Sequence, residues 1–160
     1  MDVTLHPAYD SMEEILSLFS EYTDMLLAEN PAFQVYLDLQ NYGEELRHPA
    51  DKYGPPSGRL YLARCGGAPA GCIALRRLDD VSCEMKRLYV RPAFRGHRIG
   101  SLLVQRLISD AREIGYRRML LDTLPFLESA IRLYRRFGFH DIPCYNNSPL
   151  EQTLFLQLDL

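Results

Sequence analysis

Glu84-Met85-Lys86-Arg87-Leu88-Tyr89-Val90-Arg91-Pro92-Ala93-Phe94-Arg95-Gly96-His97-Arg98-Ile99-Gly100-Ser101-Leu102-Leu103 reads as a strand, a turn and the start of a helix. Glu84 to Val90 alternates as a strand does. Arg91-Pro92 then breaks the ladder because proline has no N–H, and Gly96 opens a turn into a helix carrying Leu102, Leu103 and Leu107. A helix entered in this way leaves backbone N–H groups unpaired at its N-terminus, where the helix dipole adds roughly half a positive charge. A phosphate or pyrophosphate is the expected guest. Arg91, Arg95, His97 and Arg98 crowd the same turn, and arginine, which grips phosphate with two N–H groups and keeps its charge, points to a ligand with more than one phosphate. Two familiar phosphate loops are excluded. The next glycine after Gly96 is Gly100, so Gly-x-Gly-x-x-Gly is absent, and no Gly-Lys-Ser/Thr occurs.

Outward from this stretch, 160 residues suffice for one domain, 1–160, with a core that needs neither disulfide nor metal. Hydrophobic content of 47% with 24% charged residues is that of a globular protein, and a net charge of −3 argues against nonspecific nucleic-acid binding, so the arginines act locally. Cys65, Cys72, Cys83 and Cys144 show no Cys-x-x-Cys spacing and the four histidines are scattered, so no metal site is expected. The first three cysteines lie in or beside apolar strands and read as small buried hydrophobes. The opening Met1-Asp2-Val3-Thr4-Leu5-His6-Pro7 has no basic region followed by a long apolar run. Neither a signal peptide nor a membrane span is expected, and a cytoplasmic setting follows.

Along the chain, Val3–His6 is a strand ended by Pro7. Asp10 or Ser11 is placed to cap the next helix with Glu13 and Glu14 returning the hydrogen bond, and Ile15, Leu18, Phe19, Tyr22 and Leu26 form its buried face. Phe33 to Tyr53 reads as one or two short helices that cover the sheet or wall a substrate pocket. Arg59–Cys65 and Ala70–Leu78 form a hairpin about Gly66-Gly67, and Asp79-Asp80 leads to a third strand, Cys83–Val90. A helix from Arg98 to Ile114 ends at Gly115. The strand Arg118–Thr123 then makes a right-handed crossover and a parallel pair. A helix Leu127–Phe137 and strands Phe139–Ile142 and Thr153–Leu160 complete an α+β domain, a mixed sheet of six or seven strands with helices on both faces.

At this point the chain resembles the GNAT family of N-acetyltransferases, whose acetyl-CoA motif is Arg or Gln-x-x-Gly-x-Gly or Ala. The motif here is Arg95-Gly96-His97-Arg98-Ile99-Gly100, preceded by Leu88-Tyr89-Val90-Arg91-Pro92 and followed by Ser101; a second block, Ala130 to Phe139, matches in type and distance. Two departures stand out: Arg98 replaces the usual glycine, and Leu127 replaces an asparagine often found before the second block. The resemblance implies a cofactor lying between the strand that ends at Val90 and the one that starts at Arg118. Its pantetheine would pair with main-chain groups of Leu88 and Val90, and its pyrophosphate would rest on the amides of Arg95, Gly96, His97, Arg98, Ile99, Gly100 and Ser101. It also implies acetyl transfer from acetyl-CoA to the primary amine of an acceptor, with dimerisation common in the family; a small-molecule acceptor is expected.

Such transfer needs a neutral amine, a donor for the carbonyl oxygen and a proton for the departing thiolate. The resemblance assigns a general base to Glu84 and a general acid to Tyr134. Alternation puts Glu84 on the face of Leu88 and Val90. Its ordinary pKa of ~4.3 requires burial or a relaying water, and the competing reading pairs it with Lys86 or Arg76. Tyr134 reads otherwise as a core aromatic. For the oxyanion a main-chain N–H near Tyr89 or Val90 is expected, while His97 faces solvent or phosphate. Asp38, Glu44, Glu45 and Glu84 with Tyr36, Tyr42 and Tyr145 would line an opening suited to a cationic amine, and Asp122 could shape it. Two alternatives remain: acetylation of a protein lysine or N-terminus, and a non-catalytic acetyl-CoA sensor.

Overall fold

A computed structural model describes residues 2–160. The elements are β1 (Val3–Pro7), α1 (Met12–Glu29), α2 (Phe33–Leu39), α3 (Tyr42–Arg47), α4 (Pro49–Tyr53), β2 (Arg59–Cys65), β3 (Ala68–Arg77), β4 (Ser82–Val90), α5 (Ile99–Ile114), β5 (Arg118–Thr123), α6 (Glu128–Arg136), β6 (His140–Asp141) and β7 (Leu154–Asp159). The seven strands form one sheet in the order β1-β2-β3-β4-β5-β7-β6. Only the β4–β5 pair is parallel. That is the pair joined by the α5 crossover, as strand-helix-strand order requires.

Each face of the sheet carries its own core. On one, Leu103, Leu107 and Ala111 of α5, spaced by four, meet Cys83, Met85, Met119 and Leu121 of the central strands together with Leu133 and Tyr134 of α6. On the other, Ile15, Leu18 and Phe19 of α1 and Tyr53 of α4 cover Leu60, Leu62, Cys72, Ala74 and Tyr89. Cys65, Cys72 and Cys83 are buried and unbridged. Gly115, at φ +108, stops α5 where a side chain would be strained.

Some local expectations are corrected. Pro7 is the last residue of β1, paired with Tyr61, and is tolerated because β1 is an edge strand. Ser11 precedes α1 without a side-chain cap, and Glu14 is held instead by Arg64 at 2.8 Å. Phe33 to Tyr53 folds as three helices, broken where Asn41 takes a left-handed conformation and where Pro49 begins α4.

Candidate active site

The site is a fork in the sheet. β4 and β5 pair only from Ser82↔Arg118 to Glu84↔Leu120, and beyond that the two strands part. The departure coincides with a bulge. Against β3 the register jumps from Ala74↔Lys86 to Cys72↔Tyr89, so one additional residue sits in β4, and Arg87 there adopts φ +61. A left-handed conformation costs a non-glycine residue ~1–2 kcal/mol, and side-chain bonds offset that cost. Arg87 donates to both oxygens of Glu45, at 2.8 and 2.9 Å, and its guanidinium lies 5.0 Å from the centre of the Tyr42 ring. Lys52 reaches the same carboxylate at 2.7 Å. Burial raises the Glu45 pKa, but the hydrogen bonds and charge of Arg87, aided by Lys52, outweigh it and bring it to about 2.

The bulge overturns one expectation about faces. Leu88 and Val90 join the core of Cys83 and Met85, so Glu84, which alternates with those two, points to the opposite side. There Glu84 is 2% exposed. Arg76 donates to it at 2.6 Å, the Tyr145 hydroxyl at 2.5 Å, and Lys86 stands at 3.8 Å. Burial alone would raise its pKa, yet Lys86 and then Arg76 hold it below the ordinary value. The competing reading, pairing with Arg76 and Lys86, is therefore what the geometry contains. The carboxylate is ionised and engaged.

At the other end of the fork, none of the backbone N–H groups from Gly96 to Ser101 donates to a backbone carbonyl among the described residues, and the first such bond is Leu102 N–H to Arg98 at 3.1 Å. Gly96 at φ +90 and Arg98 at φ +60 shape the turn, so position 98 takes a left-handed conformation that glycine adopts without strain. Gly100 has a different reason: a Cβ there would lie 3.3 Å from the Leu133 side chain, so glycine lets α5 and α6 approach. Arg95, His97 and Arg98 are exposed. Arg91 does not join them, since Glu21 takes its guanidinium at 2.7 and 3.0 Å and the Pro69 carbonyl accepts a further bond. Arg98→Gly is expected to relieve the strained backbone and raise stability by about 1 kcal/mol, seen as a rise of a few degrees in Tm without ligand. A lowered Tm contradicts this account, and a simultaneous loss of CoA affinity assigns the Arg98 side chain to a phosphate.

Between these ends lies a cavity bounded by Met85 to Leu88 of β4, Leu121 to Thr123 of β5, Tyr134 of α6, and Tyr22, Phe33, Tyr36 and Gln40 of the opposite helices. The Tyr134 ring packs against Phe139 at 5.7 Å and is 7% exposed. Its hydroxyl has no bond to a described residue and is not sealed off, so it opens onto the cavity. Burial pushes its pKa up, and it stays protonated. Asp122, expected only to help shape the opening, faces the cavity and is fixed by the Tyr36 hydroxyl and, at 2.7 Å, by Asn146. Sequence reasoning named Lys86 only as a partner for Glu84 and missed Arg87, Gln40 and Asn146. A signal existed in Lys86-Arg87, two adjacent cations in a central strand that a helix on either face must bury. The acids expected around a cationic acceptor do not gather: Asp38 is exposed beside Gln34, Glu44 pairs with Arg47, and Glu45 is sealed under Arg87.

The model of the acetyltransferase (GNAT) family matches residues 14–139. The chain is 42% identical over 130 residues, 80% of both sequences, to an uncharacterized N-acetyltransferase of Schizosaccharomyces pombe. In fold it is similar to an acetyltransferase from Streptococcus agalactiae (TM-score 0.77, 21% identity, 99% of this chain and 98% of the other). It is also similar to the PaiA N-acetyltransferase of Thermoplasma acidophilum solved with coenzyme A (TM-score 0.74, 14% identity, 100% of both). Among the described residues, no helix is long and apolar enough to cross a membrane.

Proposed function

The chain belongs to the GNAT acetyltransferase family, and from that premise we propose that it moves the acetyl group of acetyl-CoA to the primary amine of a small molecule, by direct attack in a ternary complex. The observation that carries the reading is the fork itself: unpaired amides at one end, and at the other a cavity onto which the free Tyr134 hydroxyl opens. The residues present fit a CoA thioester. Gly96 to Ser101 offer N–H groups for the diphosphate, with Arg95, His97 and Arg98 exposed around them, and β4 past Glu84 has an edge toward β5 to which an extended arm can bond.

When bound, acetyl-CoA supplies the acetyl group as an activated thioester. An acceptor arriving as an ammonium gives up one proton to solvent and a second as its N–C bond forms, while the sulfur gains one as the C–S bond breaks. Tyr134, always protonated, is the donor suited to the sulfur. Glu84 is already ionised and tied to Arg76, which makes it a weak base; its part is to hold Tyr145 and Arg76, with Lys86 of the cavity wall 3.8 Å away. Tyr36 and Gln40 wall the cavity from the side of α2, which suits a small acceptor better than the open groove a protein segment needs.

Calorimetric titration with acetyl-CoA, followed by CoA release on small amines and on lysine and N-terminal peptides, tests this. Binding and release, greater with small amines, are expected. Binding without release on any amine indicates a sensor module, and indifference to CoA removes the reading altogether.

A further inference from the structure

Two cations, Lys86 and Arg87, and one carboxylate, Asp122, line the cavity. On the side of β3 and β4 covered by α3 and α4, four cations, Lys52, Arg76, Lys86 and Arg87, meet two carboxylates, Glu45 and Glu84. Arg87 and Lys52 occupy Glu45, and Arg76 and Tyr145 occupy Glu84. Lys86 is left 3.8 Å from Glu84, with a 2.5 Å hydrogen bond to the neutral amide of Gln40, whose oxygen it shares with Arg87. Its side chain is nevertheless only 7% exposed. A buried ammonium whose nearest carboxylate, Glu84 at 3.8 Å, is already engaged by Arg76 and Tyr145 is only weakly compensated, and burial followed by the Arg87 charge brings Lys86 to about 8.

Asp122 borders the same cavity from β5. Tyr36 and Asn146 both donate to its Oδ2, and its Oδ1 receives no bond from a described residue. Lys86 and Asp122 thus bound one cavity, each with capacity to spare. An acceptor bearing only an ammonium would satisfy Asp122 and leave Lys86 as it is. One that carries both charges satisfies both walls.

The geometry points to an amino acid as the acceptor, with its amine toward Asp122 and its carboxylate on Lys86. This rests on the acetyltransferase reading above and narrows it. The amine nitrogen forms the new bond to the acetyl carbon with the proton balance already given, and the carboxylate is unchanged.

The test is a set of matched triplets, each an amino acid, its α-amide and its decarboxylated amine, assayed by CoA release. The acids are expected to exceed the other two by about tenfold or more in kcat/KM, because the partners lacking the carboxylate leave Lys86 with only Glu84, 3.8 Å away and already engaged. Lys86→Met is expected to collapse that ratio mainly through KM for the acids, with acetyl-CoA affinity and Tm as checks on folding; should the variant fail to fold, the triplets with the unaltered protein decide. Amides or simple amines used as well as the acids, or release on peptides alone, overturn this proposal and leave the transferase standing. No release on any acceptor overturns both.

Discussion

Replacing Glu45 by glutamine lowers stability by about 3–5 kcal/mol, the range for a buried ion pair that loses one partner, and moves Tm down by about 10 °C. The reason is the charge left behind. Arg87 is 5% exposed, buried under α3, and keeps its proton because burial, which lowers its pKa, is outweighed by its neighbours. With glutamine at position 45 its guanidinium keeps one neutral amide oxygen and loses the second acceptor together with the negative charge. The effect reaches the fork, since the Glu45–Arg87 pair secures the bulge where β4 leaves β5, so CoA affinity falls as well. Replacing both residues by methionine recovers much of the stability and none of the affinity, because the hydrophobic pair packs without fixing the bulge. Equal stability of Glu45→Gln and the parent in a denaturant titration would refute the account. The pH dependence has a definite sign. Glu45 falls from its ordinary 4.5 to about 2 in the folded chain, so its contribution is complete above 4.5 and drains away as pH drops toward 2.

Tyr134→Phe is expected to reduce kcat by about tenfold to a thousandfold while the Kd for acetyl-CoA and the Tm stay near the parent values. A thousandfold corresponds to roughly 4 kcal/mol of barrier. The separation follows from the environment of the hydroxyl. The ring is packed against Phe139, and phenylalanine keeps that contact. The hydroxyl bonds to no described residue, so its removal strands no partner and opens no gap in the core. Only the cavity loses a donor. Because burial keeps the group protonated, the parent enzyme should show no loss of activity at high pH attributable to this tyrosine. Parallel losses in turnover and cofactor affinity would make the residue structural, and unchanged turnover would dismiss it as an acid.

How far the chain could be read without its fold depends on the range of the interactions involved. The α5 positions Leu103 and Leu107 and the stop at Gly115 are consequences of residues within a few positions of one another and appear as read, whereas Leu102 is exposed and Ala111 takes its place in the core. The parallel β4–β5 pair follows from chain order and the handedness of crossovers. The face of Glu84 was misjudged because strict alternation was carried through Arg87, where the bulge adds a residue. Nothing local announces that bulge. Its stabilising partner, Glu45, is a helix carboxylate 42 positions away that looks like a solvated acid in sequence.

The sequence by itself determined the order of strands and helices, the glycine turn at Gly96 and the unpaired amides that follow it, since these arise from backbone sterics and helix geometry over a few residues. Only the tertiary structure decided which charges neutralise one another. Arg91 went to Glu21 and Arg87 to Glu45, while the Arg76–Glu84 pair was one of the two the sequence allowed, and the cavity is lined by Lys86, Asp122 and Tyr134, which those pairings left over. Ion pairs form between elements far apart in the chain and depend on burial, and both are properties of the packed molecule.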